Sequence, residues 1–353
     1  MPSPDVIVVG GGLIGLSAAR ELHNRGLRVT LLEKGRVGRE ASWAGAGMLA
    51  ASAFPPGHPL RPLALASVAL YPQFVARLQA ETEIDIDLGR GGTLALTSHE
   101  WGTTISRAAA QRMVPGLAPE AFEGETTATF LPDDQYVDNR QLVTALRRAL
   151  ELRGIVIEEG CAVTRIMTAG GVSRLETGGG VRSAGQILIT AGAWSGEIGG
   201  LDGVCPVRPR KGQMLAFDTK SCLPCVVIGR EIYLVPRRDG RVLAGATLED
   251  VGFDRHVQPG DIAMLRDRAM RVLPALAAAK VEETWAGFRP ATPDALPLLG
   301  PVPGADVWLA TGHFRDGILL TPVTAGVMAD LMTGVVPQME LASFRPERFA
   351  GAP

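Results

Sequence analysis

Cysteine is scarce: four in 353 residues, too few for the disulfide framework of a small secreted domain. Lysine is as scarce (Lys34, Lys211, Lys220 and Lys280), against 31 arginines. Base composition of the genome is the simplest account of that imbalance, so each arginine has to be judged by its position. Neither sign of charge is in excess. The balance of 35 basic and 37 acidic residues gives −2, which leaves no electrostatic footprint for nucleic acid or an anionic membrane. No run of about 18 apolar residues is free of charge or turn residues, so no membrane span is expected. Residues 1–5 supply no basic segment ahead of the apolar run at Val6, and no small-residue cleavage site follows it. A signal peptide is therefore not expected, and the cytoplasm is the expected location. None of the five histidines falls in a nucleophile or metal-ligand pattern.

What is present is ordinary globular material, 46% hydrophobic and 20% charged. The length suits two domains with a large core. Glycine (43) and proline (25) make up about a fifth of the chain, so much of the backbone is committed to turns and close approaches.

The pattern alternates. Residues 6–10 read as a buried strand, 13–25 as a helix and 27–33 as a second strand, a β-α-β unit at the start. Residues 60–79 have helical period but carry Pro62 and Pro72, which predicts a broken or kinked helix. Strands are expected at 92–97 and 126–131 around a helix at 101–113. Asp138 opens a helix, with Gln141 completing a variant capping box and Leu142, Leu146 and Leu150 following at spacing four. Strands are expected at 155–158, 163–168, 172–177 and 186–190, then an antiparallel set at 214–217, 232–235 and 242–246. A helix at 261–273, a buried strand at 307–311 and a helix at 318–332 close the chain. The ends read as α/β and the middle as antiparallel, which predicts a nucleotide-binding domain built from separated pieces of chain with a β-rich domain inserted.

The chemistry begins at Val6-Ile7-Val8-Val9, which runs into Gly10-Gly11-Gly12-Leu13-Ile14-Gly15. This G-x-G-x-x-G stands between a strand and a helix, the context that the dinucleotide fingerprint requires. Gly10 permits the tight turn, Gly12 lets a pyrophosphate approach the backbone, and Gly15 lets helix and sheet pack closely. The helix N-terminus adds free N–H groups and a positive end. Glu33 ends the second strand, where a carboxylate accepts the ribose hydroxyls and repels a 2′-phosphate. The cofactor is thus FAD or NAD rather than NADP. Only one such fingerprint is present, which disfavours an enzyme that passes electrons from a nicotinamide to a flavin.

Beyond Glu33 stands Ala41-Ser42-Trp43-Ala44-Gly45-Ala46-Gly47-Met48-Leu49, and further on come ILITAGAWS (187–195), YLVPRRDGRVLAGAT (233–247), WAGFRPATPD (285–294) and GHFRDGILLTPVTAG (312–326). In this order the segments resemble the D-amino-acid oxidase-like family of FAD-dependent oxidoreductases, and its glycine oxidase branch in particular, over essentially the whole chain. The resemblance implies an α/β plus α+β fold: a discontinuous Rossmann-like FAD-binding domain (1–88, 137–200 and 290–353) with an inserted antiparallel-sheet substrate domain (89–136 and 201–289). It implies non-covalent FAD held by Leu13, Ile14, Glu33, Lys34, Ala41, Ser42, Ala46, Gly47 and Met48. Val163 matches the residue whose backbone meets the adenine, and His313, Phe314, Arg315, Asp316, Gly317, Ile318 and Leu319 match the loop over the flavin ring.

For the substrate, the resemblance implies carboxylate binding by Arg289, a second contact from Arg315 and a pocket hydroxyl from Tyr233. A guanidinium suits that task because it makes two parallel hydrogen bonds and keeps its charge. The implied reaction is oxidation of a small amine or amino acid by hydride transfer, with dioxygen as acceptor, hydrogen peroxide as product and a place in thiamine (thiazole) synthesis. It needs no catalytic base, because positioning does the work. Arg289 has a competing explanation, a buried ion pair with Asp294 or Glu283, and Tyr233 has one as a core-facing strand residue.

Two rivals stand beside this reading. One is a D-amino-acid or sarcosine oxidase or dehydrogenase on the same scaffold, since one methylene discriminates by only about 1–3 kcal/mol. The other is a non-catalytic flavin-binding subunit of a complex, and a homo-oligomer stays open in either case. Cys222-Leu223-Pro224-Cys225 is a C-x-x-C without a second pair or a thioredoxin-like setting, so two ordinary thiols are expected. Residues 285–301 contain no cysteine, which disfavours the covalent flavin of sarcosine-type relatives. Glu231, two residues before Tyr233, is an acidic group of unassigned role.

Overall fold

The computed structural model describes residues 3–97, 101–170, 172–220 and 223–350. Its first large sheet has six strands, in the order Leu298–Pro301, Val307–Thr311, Gln186–Ile189, Val6–Val9, Val29–Glu33 and Val156–Glu159. All pairings are parallel except that of the first edge strand. Val6–Val9 is buried at all four positions, as a central parallel strand covered on both faces must be. Helices Leu13–Asn24, Leu60–Thr82, Asn139–Leu152 and Thr321–Met332 share one apolar core with this sheet.

The second large sheet has eight strands, drawn from 93–131 and 208–291. It is antiparallel except where Val226–Ile228 pairs in parallel with Thr93–Ala95. Its longest members, Arg208–Asp218 and Lys280–Ala291, pair over nearly their full length. A three-stranded antiparallel sheet, Val163–Ala169, Val172–Thr177 and Gly180–Ser183, is also formed.

The β-α-β start and the strands near 156, 163, 172, 186 and 307 lie where the sequence places them. Four local expectations are corrected. Leu60–Thr82 is one continuous helix of 23 residues, so the break expected there is absent. Pro62 falls in its first turn, where the N–H has no intrahelical partner anyway. Pro72 is interior and costs about 3 kcal/mol, which the burial of Leu63, Val68, Tyr71, Val75 and Leu78 offsets. The helix expected at 101–113 is a strand, Thr103–Ser106, followed by a shorter helix, Arg107–Met113, which the Ser106 side chain caps through Ala109 N. The β-branched run Thr103-Thr104-Ile105 explains the strand.

The capping box at Asp138 is half made. Asp138 Oδ1 accepts from Arg140 N (2.9 Å) and Gln141 N (3.1 Å), but Gln141 Oε1 accepts instead from Asp87 N at 2.7 Å. The closing helix begins at Thr321, not at 318, with Pro322 in its first turn. Residues 313–320 thereby stay free to form a loop.

Candidate active site

One cavity of about 830 Å³ runs from the Gly10–Ile14 turn to Arg289 and is lined by both large sheets, within the size range of cofactor and ligand sites. Gly10, Gly12, Leu13 and Ile14 line it at one end. Gly15 does not. Its part is close approach, since a Cβ there would stand 1.9 Å from Gly10 O. A Cβ on Gly10, where φ is +109°, would stand 2.5 Å from Thr190 O. The turn therefore presents bare backbone to the cavity at the positive end of the first helix. Ser42 Oγ accepts from Leu13 N at 2.9 Å. Glu33 is buried at the end of its strand, and its two carboxylate oxygens accept from Gly11 N (2.7 Å) and Gly35 N (2.8 Å). Each oxygen keeps a lone pair for a ligand hydroxyl. Lys34 places its Nζ 3.3 Å from the centre of the Trp194 ring, and burial lowers its pKa in spite of Glu40.

Ala41, Ser42, Ala46, Gly47 and Met48 line the middle of the cavity, and Val163 lies on its wall. This stretch is held from behind by residues to which the sequence reading gave no role. Asn139 Nδ2 donates to Ser42 O (2.8 Å) and Trp43 O (3.1 Å). Arg237, 3% exposed, donates to Ala46 O (2.8 Å) and Asn139 Oδ1 (3.1 Å) and lies 3.5 Å from Asp138 Oδ2. Trp285 Nε1 donates to Ala44 O at 2.9 Å. Gly47, at φ +75°, lies so close to the neighbouring strand that a Cβ would meet Val137 O at 2.0 Å.

The loop from His313 to Leu319 lines the far side. Phe314 N donates to Pro290 O at 2.7 Å, Ser67 Oγ donates to Leu319 O at 2.6 Å, and Tyr71 Oη donates to Ile318 O. The long second helix thus pins the loop. His313 is buried, with Nε2 3.2 Å from Thr324 Oγ1, and burial drives its pKa down to about 3. Burial raises the Asp316 carboxyl to about 7 against the opposing charge of Arg315.

Arg289 and Tyr233 line the far part of the same cavity, with Arg315 on its lining as well. Arg289 donates through Nη1 to Thr247 O (3.1 Å) and Lys211 O (3.3 Å). Neither competing partner holds it: Asp294 pairs with Arg348 at 2.7 Å and Glu283 with Arg140 at 2.8 Å. Among the described residues no carboxylate lies within 4.0 Å of the Arg289 guanidinium, so its charge is left for a ligand. Burial pulls its pKa down, with Tyr233 acting the other way. Tyr233 is raised by burial, and Arg289 and Arg315 oppose that. Its hydroxyl points at Met214 Sδ, 3.7 Å away, and its ring packs against the apolar cluster around Met214 while also lining the cavity. Arg315 is exposed at the rim, its guanidinium 4.9 Å from the Phe314 ring centre. Glu231 also lines the cavity but is paired with Arg268 at 3.0 Å.

The sequence reading missed Gly212, Met214, Thr247 and Gly287 around Arg289, and Trp194 beside Lys34. Glycines inside strands were the available signal, since they mark close approach. Cys225 is a buried thiol raised by burial to about 11, and Cys222 lies outside the described residues. Among the described residues no helix is long and apolar enough to cross a membrane.

Comparison with known proteins agrees with this geometry. Residues 5–331 match the family described as DAO, FAD dependent oxidoreductase. The chain is 36% identical to a glycine oxidase of Pseudomonas putida, over 98% of this chain and 99% of that one. It is 38% identical to the bifunctional protein ThiO/ThiG of Synechocystis, over 98% of this chain and 54% of that protein. The crystal structure of glycine oxidase from Geobacillus kaustophilus superposes with a TM-score of 0.93 at 34% identity, covering 99% of this chain and 100% of that one.

Proposed function

We propose a reaction for this site on one premise: the chain belongs to the DAO family of FAD dependent oxidoreductases, and FAD is its cofactor. The reaction is the oxidative deamination of glycine and other small amines and amino acids to an imine, which water converts to a 2-oxo acid and ammonia. The glycine oxidase relatives, similar over nearly their whole length, support it, and the ThiO/ThiG relative supports a place in thiamine synthesis. Dioxygen as acceptor and the cytoplasm as location are parts of the same proposal. So is a division into an FAD-binding domain (1–88, 137–200, 290–353) and a substrate domain (89–136, 201–289).

The bare turn at Gly10, Gly12 and Ile14 fits a pyrophosphate, and Gly15 closes the helix onto it. Glu33 fits the ribose hydroxyls, and Lys34 and Val163 fit the adenosine end. The 41–48 stretch and the His313–Leu319 loop fit the two sides of the flavin ring. When bound, FAD supplies a two-electron acceptor for the substrate Cα hydrogen as hydride, and dioxygen takes the electrons on as hydrogen peroxide.

The chain's own residues bind and orient. Arg289 takes the substrate carboxylate in a half-buried setting, where a charge-assisted pair is strong. Tyr233 borders the amine and carboxylate, and Arg315 adds a second positive charge from the rim. Two guanidinium groups destabilise an ammonium beside them, so the amine binds neutral and no protein base is needed. The rest is geometry, with reacting atoms held about 3–3.5 Å apart.

The observation that carries this reading is the unpaired Arg289 guanidinium facing the cavity. Anaerobic mixing of the yellow holoenzyme with glycine tests it. Bleaching of the flavin is expected, and a protein that no small amine bleaches is a binding subunit instead. A peroxide assay on glycine, sarcosine and D-alanine ranks the substrates.

A further inference from the structure

A guanidinium that binds a substrate carboxylate must not be neutralised by a carboxylate of its own protein. Glu249 is placed to do that. It follows two residues after Thr247, whose carbonyl oxygen accepts from Arg289, and its charge acts on Arg289. Yet its side chain turns elsewhere. The carboxylate accepts from Thr247 Oγ1 and from Gln213 Nε2 (2.9 Å), and Oε2 lies 3.4 Å from Lys211 Nζ. Burial pushes the Glu249 carboxyl up, but these donors and the lysine outweigh it and hold it below the usual range.

Lys211 is one of only four lysines, and its side chain is 0% exposed. Its Nζ stands 3.4 Å from Glu249 and 3.5 Å from Asp254 and has no aligned hydrogen bond. An ammonium buried so deeply is tolerated only where carboxylates answer it. The backbones of the two residues are also joined, Lys211 N to Glu249 O at 3.0 Å and Glu249 N to Lys211 O at 2.9 Å. Lys211 O accepts from Arg289 as well, at 3.3 Å. Lys211 therefore touches Arg289 through its backbone carbonyl, while its side chain answers the charge of Glu249.

We infer that Lys211 is a positioning residue for substrate binding: from its buried position it cancels the charge of the partly buried Glu249 carboxylate and so leaves the Arg289 guanidinium open to the carboxylate of the substrate. This rests on the proposed role of Arg289 as the carboxylate site. Lys211→Met fills the same space but leaves Glu249 only its two neutral donors, Thr247 and Gln213, with no cation to cancel its charge beside Arg289, while Asp254 keeps its contact with His256 (2.6 Å).

The test uses FAD-loaded protein, with glycine for kinetics and acetate, a carboxylate without an amine, for calorimetric titration. In Lys211→Met the KM for glycine and the acetate dissociation constant rise on the order of tenfold, the size expected when a unit charge that acts on a half-buried guanidinium is unmasked. The kcat stays within about twofold, the signature of lost ground-state binding. Lys211→Met with Glu249→Gln returns both constants to within about threefold of the parent, as coupled neighbours must. Unchanged KM and acetate binding in Lys211→Met overturn the inference, as does a double variant that binds no better than the single one. Should Lys211→Met fail to load FAD, the double variant decides alone, and acetate binding tenfold weaker than the parent's overturns it. Equal acetate binding by the parent and by Arg289→Ala would instead remove the role of Arg289, and this inference with it.

Discussion

The guanidinium of Arg289 lies against the bare backbone of Gly212, where a Cβ would stand 2.2 Å from Nη1 and 2.5 Å from Cζ. Gly212 is paired in register with Gly287, so two residues without side chains lie side by side on the strands that carry the arginine. Gly212→Ala displaces the guanidinium. A misplacement of about 1 Å costs roughly 100-fold, so kcat/KM for glycine should fall by about that factor while the flavin-to-protein absorbance ratio holds. A variant with parental kinetics would show that Arg289 acts from some other position.

Gly12 and Gly15 should fail differently. A Cβ at 15 meets backbone at 1.9 Å, whereas a Cβ at 12 meets only the hydroxyl of Ser42, at 3.0 Å. Gly15→Ala should destabilise the apoprotein by about 1–3 kcal/mol, the range for overpacking. Gly12→Ala, which meets only a side-chain hydroxyl at the cavity wall, should change apoprotein stability by no more than about 0.5 kcal/mol but weaken FAD binding. Urea denaturation of the two apoproteins and FAD titration separate the cases, and the same loss of stability in both would sink the distinction.

Arg237 ties Ala46, Asn139 and Asp138 together from a buried position. Removing one partner of a buried charged set costs about 3–5 kcal/mol. Arg237→Met should lose that much stability and purify poor in FAD, because the 41–48 stretch loses its backing. Lysine should not rescue it, since a single ammonium cannot reach three acceptors in a planar fork. Full flavin content in either variant would contradict this.

His313 and Asp316 should impose opposite pH dependences on stability. Asp316 is raised to about 7, so between the unfolded carboxyl pKa of about 4 and about 7 the folded state binds more protons, and stability falls as pH rises. His313 is lowered to about 3, so between about 3 and 6.5 the unfolded state binds more protons, and stability rises with pH. The two offset between about pH 4 and 6.5. Asp316→Asn should remove the falling limb, so that the apoprotein melting temperature, followed from pH 4 to 7, climbs more steeply than the parent's. A profile parallel to the parent's would mean that Asp316 does not titrate there.

Local signals carried far in this chain. The Gly10–Gly15 turn, the Asp138 cap and the Val307–Thr311 strand are each specified by neighbours in sequence, and each forms. What escaped was set by distant partners. Lys280–Ala291 mixes charge with glycine and proline and shows no clean alternation, and it is a strand because it pairs with Arg208–Asp218. Arg237 is one of several arginines until its contact with Ala46, 191 positions away, comes into view. Residues 60–79 read as a broken or kinked helix because prolines are counted locally, while the apolar contacts that keep Leu60–Thr82 continuous come from other elements.

The interleaving of the six-stranded sheet bears on how the chain must be made. Gln186–Ile189 lies between Val6–Val9 and Val307–Thr311, so a nascent chain shorter than about three hundred residues carries an unprotected strand edge of the kind that invites aggregation. Val6–Val9 has both its neighbours once residue 189 is made, whereas Gln186–Ile189 waits for Val307–Thr311. The edge that needs shielding during synthesis is therefore that of Gln186–Ile189, and the need ends when Val307–Thr311 pairs with it.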